Sequence, residues 1–208
     1  MAFVATRVIS FQDPESRAGV YQLLALLWLK EVDSELLTQI MSPPLSDCLV
    51  AAGCVLPPDQ TDQTVEDLAL AYCKLFVGPA NHLPPFQSVW QTGQFQGSTI
   101  QLIQSLVEIV DYDMERLPQG VMLDHLGVQL DIMGHILKKI STWEGGTESL
   151  NQVWELANSF FATNLLWPND MFAAAVRLAD NEFYRSLVEI TRDFLQSEML
   201  TPTVVPSR

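Results

Sequence analysis

Positive charge is scarce in this sequence. Lys and Arg number 11 against 25 Asp and Glu, a formal net charge of −14. A field of that sign repels phosphate backbones and anionic lipid heads, which excludes nucleic acid as the expected ligand and favours a basic partner. Long apolar runs are missing too. The longest, VYQLLALLWL, ends in Lys30-Glu31 and falls well short of the ~20 residues that span a bilayer, so no membrane insertion is expected. The opening MAFVATRVISFQDPE has one Arg and no continuous apolar stretch, so no secretory signal is expected. Cys48, Cys54 and Cys73 are odd in number and lack C-x-x-C spacing. That argues against a disulfide framework or a zinc site, and predicts reduced, mostly buried thiols in a cytoplasmic protein. Neither glycine pattern that cradles phosphate, G-x-x-x-x-G-K-[ST] or G-x-G-x-x-G, occurs. Gly97-Ser98 at a helix start is an anion-friendly geometry, but plain capping accounts for it. No segment alternates as a half-buried strand would.

What is present is helix. Hydrophobic residues make up 48% of the chain, enough for one sizeable core. Asp13-Pro14 reads as an N-cap followed by proline at the first helical position, with Ala18, Tyr21, Leu24, Ala25 and Trp28 on one face. Short helices are expected over 34–41 and 45–52, then a loop over 53–63. Thr64 with Asp67 resembles a capping box for the helix carrying Leu68, Tyr72 and Phe76. Ser98 can cap a helix whose inner face is Ile100, Ile103, Val107 and Val110. After the acidic DYDMERLPQG loop, Leu123, Leu126, Leu130, Met133, Leu137 and Ile140 recur at alternating spacings of three and four. Helices from Thr147 to Pro168, near 169–179 and over 182–199 complete an all-α bundle of about eight or more helices. It is expected to form one domain over 1–208, with a hinge near 143–149.

Three histidines are available: His82, His125 and His135. The last two lie nearly three turns apart on the periodic helix and about 80° apart around its axis, so they cannot share a metal ion. Asp131 and His135 are i,i+4 neighbours on what reads as a solvated face. Asp124-His125 opens the same helix, where an acid suits the dipole. His125 is the residue of this region able to change charge near neutral pH. A metal- or nucleotide-dependent hydrolase would have to use Asp124, His125, Asp131 and His135, yet one helix cannot gather all four.

The remaining signal is YCKLFVGPANHLPPFQSVW, residues 72–90. It closes a helix at Phe76-Val77-Gly78-Pro79, turns through Pro84-Pro85-Phe86, and continues into Ser88-Val89-Trp90, read as extended. Tyr72, Phe76, Phe86 and Trp90 keep it aromatic throughout. Such a segment either plugs a core or walls a groove for an apolar peptide, because proline keeps it rigid without ladder hydrogen bonds.

LFVGP followed by PPFQSVW, DH at the start of a later helix, NLLWP, and FAAAVRLADNEFYRSLVEITRDFL together resemble the TorD/DmsD family. These are all-helical cytoplasmic chaperones dedicated to twin-arginine-exported molybdoenzymes, with the nitrate-reductase delta-type chaperones as more distant relatives. The similarity runs from about Asp13 to Leu200. It implies a non-enzymatic protein that uses no cofactor of its own. Its partners would be the twin-arginine signal peptide and the apo form of a molybdoenzyme catalytic subunit, of the DMSO or TMAO reductase type. The oligomeric state implied is monomer or domain-swapped dimer. By the resemblance Leu75, Phe76, Gly78, Pro79, Pro85, Ser88 and Trp90 fall on the family's signature loop, and Asp124 and His125 on its E-P-x-D-H motif. With Tyr72 and Phe86 these form the expected leader-peptide site. Val121 and Met122 stand where the motif has Glu and Pro. Gln129 stands where an acid often follows four after the His, and Trp167-Pro168 reverses the usual order. Those departures weigh on any role of that motif, including the guanine-nucleotide binding attributed to some members. A twin-arginine leader is a basic stretch followed by an apolar, helix-forming segment, and an aromatic wall in a negative field suits both parts.

Overall fold

The computed structural model describes residues 13–95 and 98–200. Among the described residues ten α-helices carry the fold: α1 Pro14–Leu29, α2 Ser34–Ile40, α3 Leu45–Ala52, α4 Asp62–Tyr72, α5 Gln87–Thr92, α6 Ser98–Ile109, α7 Leu126–Ser141, α8 Thr147–Asn164, α9 Asn169–Leu178 and α10 Glu182–Leu200. A π-helical turn, Cys73–Val77, continues α4, and a 3₁₀ turn, Met114–Arg116, lies between α6 and α7. Among the described residues there is no strand, only an isolated antiparallel bridge between Phe86 and His125. The all-α expectation holds. The opening MAFVATRVISF and the side chain of Ser98 lie outside what is described.

The chain groups into two compact units, one holding α1 with Pro85–Pro168 and the other Lys30–Pro84 with Asn169–Leu200. In the first, α1 starts where the sequence predicts, with the Ser16 N–H donating to Asp13 Oδ1 at 2.8 Å. Its face Ala18, Tyr21, Leu24, Ala25 and Trp28 is buried and packs on α7. The approach is close because α7 offers no side chain at two points one heptad apart. A Cβ on Gly127 would lie 2.9 Å from Leu29 Cγ and 3.2 Å from the Ala25 carbonyl, and one on Gly134 would lie 3.2 Å from the Ala18 carbonyl. All of the periodic apolar residues from Leu123 to Ile140 are buried, but so are Val128, Gln129, Asp131, Ile132 and Ile136. A heptad stripe predicts one covered face, whereas α7 is covered nearly all round. The solvated face expected at Asp131 and His135 is therefore not observed.

In the second unit α4 begins three residues earlier than the expected capping box. Thr61, not Thr64, has the extended backbone at the helix start and accepts the Thr64 N–H through its hydroxyl at 3.3 Å. Asp59 draws this turn together by accepting the Thr61 N–H and the hydroxyls of Thr61 and Thr64. At the far end the π turn closes with Gly78 N–H donating to the Cys73 carbonyl at 2.6 Å. Tyr72, Phe76, Phe183 and Tyr184 form an aromatic cluster there, with neighbouring ring centroids 5.2–6.3 Å apart. The thiols differ from expectation. Burial pushes the Cys54 thiol pKa up, partly offset by the hydrogen bond it accepts from the Ser186 hydroxyl, but Cys48 and Cys73 are exposed. Cys48 sits on an uncovered side of α3, and Cys73 on the outside of the π turn.

Candidate functional site

Pro84-Pro85 cannot continue a helix, and Phe86 stays extended at φ −119, ψ 125. Opposite it His125 is also extended, at φ −69, ψ 134. The two extended segments pair through the Leu126 N–H to the Pro85 carbonyl (2.8 Å) and the Gln87 N–H to the Asp124 carbonyl (2.9 Å). Each then turns directly into a helix, Phe86 preceding α5 and His125 preceding α7. This corrects the expectation that Ser88-Val89-Trp90 is extended. Once past the prolines nothing bars helix, and Asp124 supplies the missing cap: its Oδ2 accepts the Ser88 N–H at 3.0 Å. His125 caps α7 itself, its Nδ1 accepting the Gly127 N–H at 3.0 Å.

Asp124 has no solvent exposure and Ser88 none, yet the second carboxylate oxygen of Asp124 and the Ser88 hydroxyl have no hydrogen-bond partner. Beside them burial lowers the His125 pKa to about 4. The ring is thus neutral at pH 7, with its proton on Nε2 because Nδ1 is an acceptor. The expectation of a charge change near neutrality is corrected by desolvation. The Phe86 ring stands edge-on to His125 at 5.0 Å and to Phe95 at 5.4 Å. Phe86 and Trp90 are half-buried, and Phe95 is exposed.

A second set of buried polar groups was invisible to spacing. Gln129 Nε2 donates to Gln87 Oε1 at 2.6 Å, Gln87 Nε2 donates to the Thr163 carbonyl at 2.8 Å, and Trp167 Nε1 donates to Gln129 Oε1 at 2.8 Å. The residue that departs from the acid in the family motif is thus an amide knot tying α5, α7 and α8 to Trp167. Asp131 is likewise engaged, accepting from the Tyr112 hydroxyl and meeting Arg116 at 3.3 Å. Burial and that carboxylate push the Tyr112 phenol far up. His135 Nε2 pairs with the Val110 carbonyl at 3.0 Å. Among the described residues no group of three or more His, Cys, Asp or Glu could hold a metal ion.

The residues expected at the site fall in both units. Tyr72, Leu75, Phe76, Gly78 and Pro79 belong to one, and Pro85, Phe86, Ser88, Trp90, Asp124 and His125 to the other. In the first, Leu75 lines a recess of about 240 Å³ with Ala71, Ala80 and Tyr184, and the Lys74–Asp180 ion pair stands on its rim. Pro79 is exposed there, whereas Tyr72, Leu75, Phe76 and Gly78 are buried. In the second, Pro85, Ser88, Asp124 and His125 are buried, so Phe86 and Trp90 are the members a partner reaches.

The sequence profile of the nitrate reductase delta subunit family matches residues 35–173, more than half of the chain. The chain belongs to that family. It is similar to the chaperone protein TorD of Shewanella piezotolerans, 26% identical with 89% of this chain and 91% of that protein covered. TorD of Shewanella pealeana is 25% identical, with 88% and 87% covered. Among solved structures it is similar to a candidate redox enzyme maturation protein from Archaeoglobus fulgidus, with a TM-score of 0.55, 16% identity, and 91% and 99% of the two chains covered. That likeness is one of fold. Both curated relatives bear the name of a chaperone, not of an enzyme. Among the described residues no helix is long and apolar enough to cross a membrane.

Proposed function

We propose that this protein is a cytoplasmic maturation chaperone that binds the twin-arginine leader of a molybdopterin-dependent oxidoreductase. It holds the leader, together with the apo-body, until cofactor insertion is complete. The observation that carries this is the ledge of Phe86, Trp90 and Phe95: large apolar side chains left half-buried or exposed on a backbone fixed by the bridge to His125. Fixed aromatics bind an apolar peptide at low ordering cost. The net charge of −14 attracts the basic stretch that precedes the apolar one in such a leader. The buried members of the signature, Pro85, Ser88, Asp124 and His125, then serve to set Phe86 and Trp90 in place. In the other unit Tyr72, Leu75, Phe76 and Gly78 have the same framing role behind Pro79.

Calorimetric titration of a panel of leaders from DMSO- and TMAO-reductase-type enzymes tests the proposal. At least one leader should bind, more tightly at low salt, and substitution of its arginines by glutamine should flatten the salt dependence. No binding across the panel, or equal binding of scrambled peptides, would refute it.

A further inference from the structure

Helix α6 carries a wider apolar arc than the core beneath it uses. Ile103, Val107 and Val110 are buried, while Leu102 and Ile109 are 65% and 71% exposed. Leu106, between them, is half-buried. Spacings of four and three put Leu102, Leu106 and Ile109 in one stripe about 10 Å long, beside the inner face. Phe95, 55% exposed, precedes this helix in the chain. The opposite end is acidic: Glu108, Asp111, Asp113 and Glu115 are all exposed. The C-terminus of a helix adds negative potential of its own. Of the bases nearby, Lys139 approaches Asp111 at 3.8 Å and Arg116 is engaged with Asp131, so the acids outnumber them.

We infer that the outer stripe of α6 seats the leader's apolar segment, with its arginines at the Glu108–Glu115 end. Because the arginines precede the apolar segment, the peptide runs antiparallel to α6, and its apolar end points toward Phe95 and Phe86. This assignment rests on the leader-binding reading above and adds the docking surface and the polarity of the peptide on it. A second copy of this chain is a poor occupant, since it would bring another net −14 against the same acidic end. A basic, amphipathic peptide matches both the apolar and the acidic part.

The test uses the tightest-binding leader of the panel, labelled for fluorescence anisotropy. It is titrated into the full chain, a Leu102→Gln/Ile109→Gln variant and a Glu108→Gln/Asp111→Asn variant. Both sites are exposed, so melting temperatures should stay close to wild type. The apolar variant should lose about tenfold or more in affinity, and the charge variant should lose mainly on-rate and salt dependence. A photoreactive residue placed next to the arginines should crosslink within 108–116, and one at the apolar end within 92–102. If wild type binds and the Leu102/Ile109 variant binds equally well, the docking surface is wrong while leader binding stands. A reversed crosslink pattern overturns the polarity. Unchanged leader affinity with an altered sedimentation coefficient would make the stripe a self-association surface instead. If no leader binds wild type, the assignment falls with the function it rests on.

Discussion

Removing the Asp124 carboxylate separates its capping role from any direct role toward a peptide. In Asp124→Ala the Ser88 N–H loses its acceptor at 3.0 Å in a place with no solvent to replace it. Hydrogen bonds to charged groups contribute about 1.5–3 kcal/mol. Against this the variant no longer buries a carboxylate whose second oxygen is unpaired, so a net loss of about 1–2 kcal/mol is expected. Asp124→Asn keeps an acceptor oxygen for the Ser88 N–H. It forfeits only a charge–dipole contribution of about 0.3–1 kcal/mol. Urea unfolding should therefore rank wild type close to Asn and both above Ala. Hydrogen exchange supplies an internal control. The Ser88 amide should lose protection in the Ala variant, whereas the Gln87 amide, bonded to the Asp124 main-chain carbonyl at 2.9 Å, should not. An Ala variant with a wild-type midpoint and a protected Ser88 amide would refute the capping argument. In leader titrations, an Asn variant of unchanged stability but several-fold weaker binding would give the carboxylate a direct role. Equal affinities for wild type, Asp124→Asn and His125→Ala would remove both residues from the site.

His125 has a folded pKa of about 4 against roughly 6.5 unfolded, so its contribution is present above pH 6.5 and is lost as the pH falls toward 4. By pH 4.5 wild type should have lost roughly 2–3 kcal/mol relative to His125→Gln, each referred to its own stability at pH 7; parallel urea midpoints at the two pH values would refute this. Gln129→Glu puts an acceptor in place of the donating Nε2, facing Gln87 Oε1, whose own amide N–H₂ is held by the Thr163 carbonyl. A loss of about 1–3 kcal/mol is expected, and a thermal melt no lower than wild type would count against the amide knot. Phe86→Ala and Trp90→Ala should each cost about 2 kcal/mol or more of leader affinity and less stability than the roughly 3–5 kcal/mol of a core aromatic. Large shifts in denaturant midpoint at unchanged affinity would make both plain core residues.

The helices were legible because their signals are local. Asp13-Pro14 starts α1, Thr147 starts α8, which ends at Asn164 short of Pro168, and the apolar spacing of α7 shows which residues face inward. What spacing could not show is how many faces of a helix are covered. Asp131 and His135 look like solvated positions until the 110–116 segment is laid over them, where Tyr112 and the Val110 carbonyl take their polar atoms. The short α5 was missed for a related reason. Its cap is not the residue before it but Asp124, 36 positions from Ser88 in sequence, and a six-residue helix has too little periodicity of its own to be read. The exposed half of the apolar arc on α6 was present in the sequence as Leu102, Leu106 and Ile109. Only burial separates it from the inner half.

The buried polar groups also locate the negative field. Among the described acids Asp124, Asp131 and Glu198 are buried; Asp131 is balanced by Arg116, and Asp124 is committed to the start of α5. At position 129, where the family motif often places an acid, this chain has an amide bonded to Gln87 and Trp167. Charge has thus been kept out of the knot behind Phe86 and left on the surface, where Glu108, Asp111, Asp113 and Glu115 stand clear of the core. Surface charge of this kind acts over about a Debye length and is screened by salt. It therefore governs how fast a basic peptide arrives more than how long it stays. Under the proposed leader-binding function, residence depends on the apolar ledge and stripe, which salt does not screen. The proposed holding and later release of a leader gains from that division, because capture and retention can then be tuned at different residues.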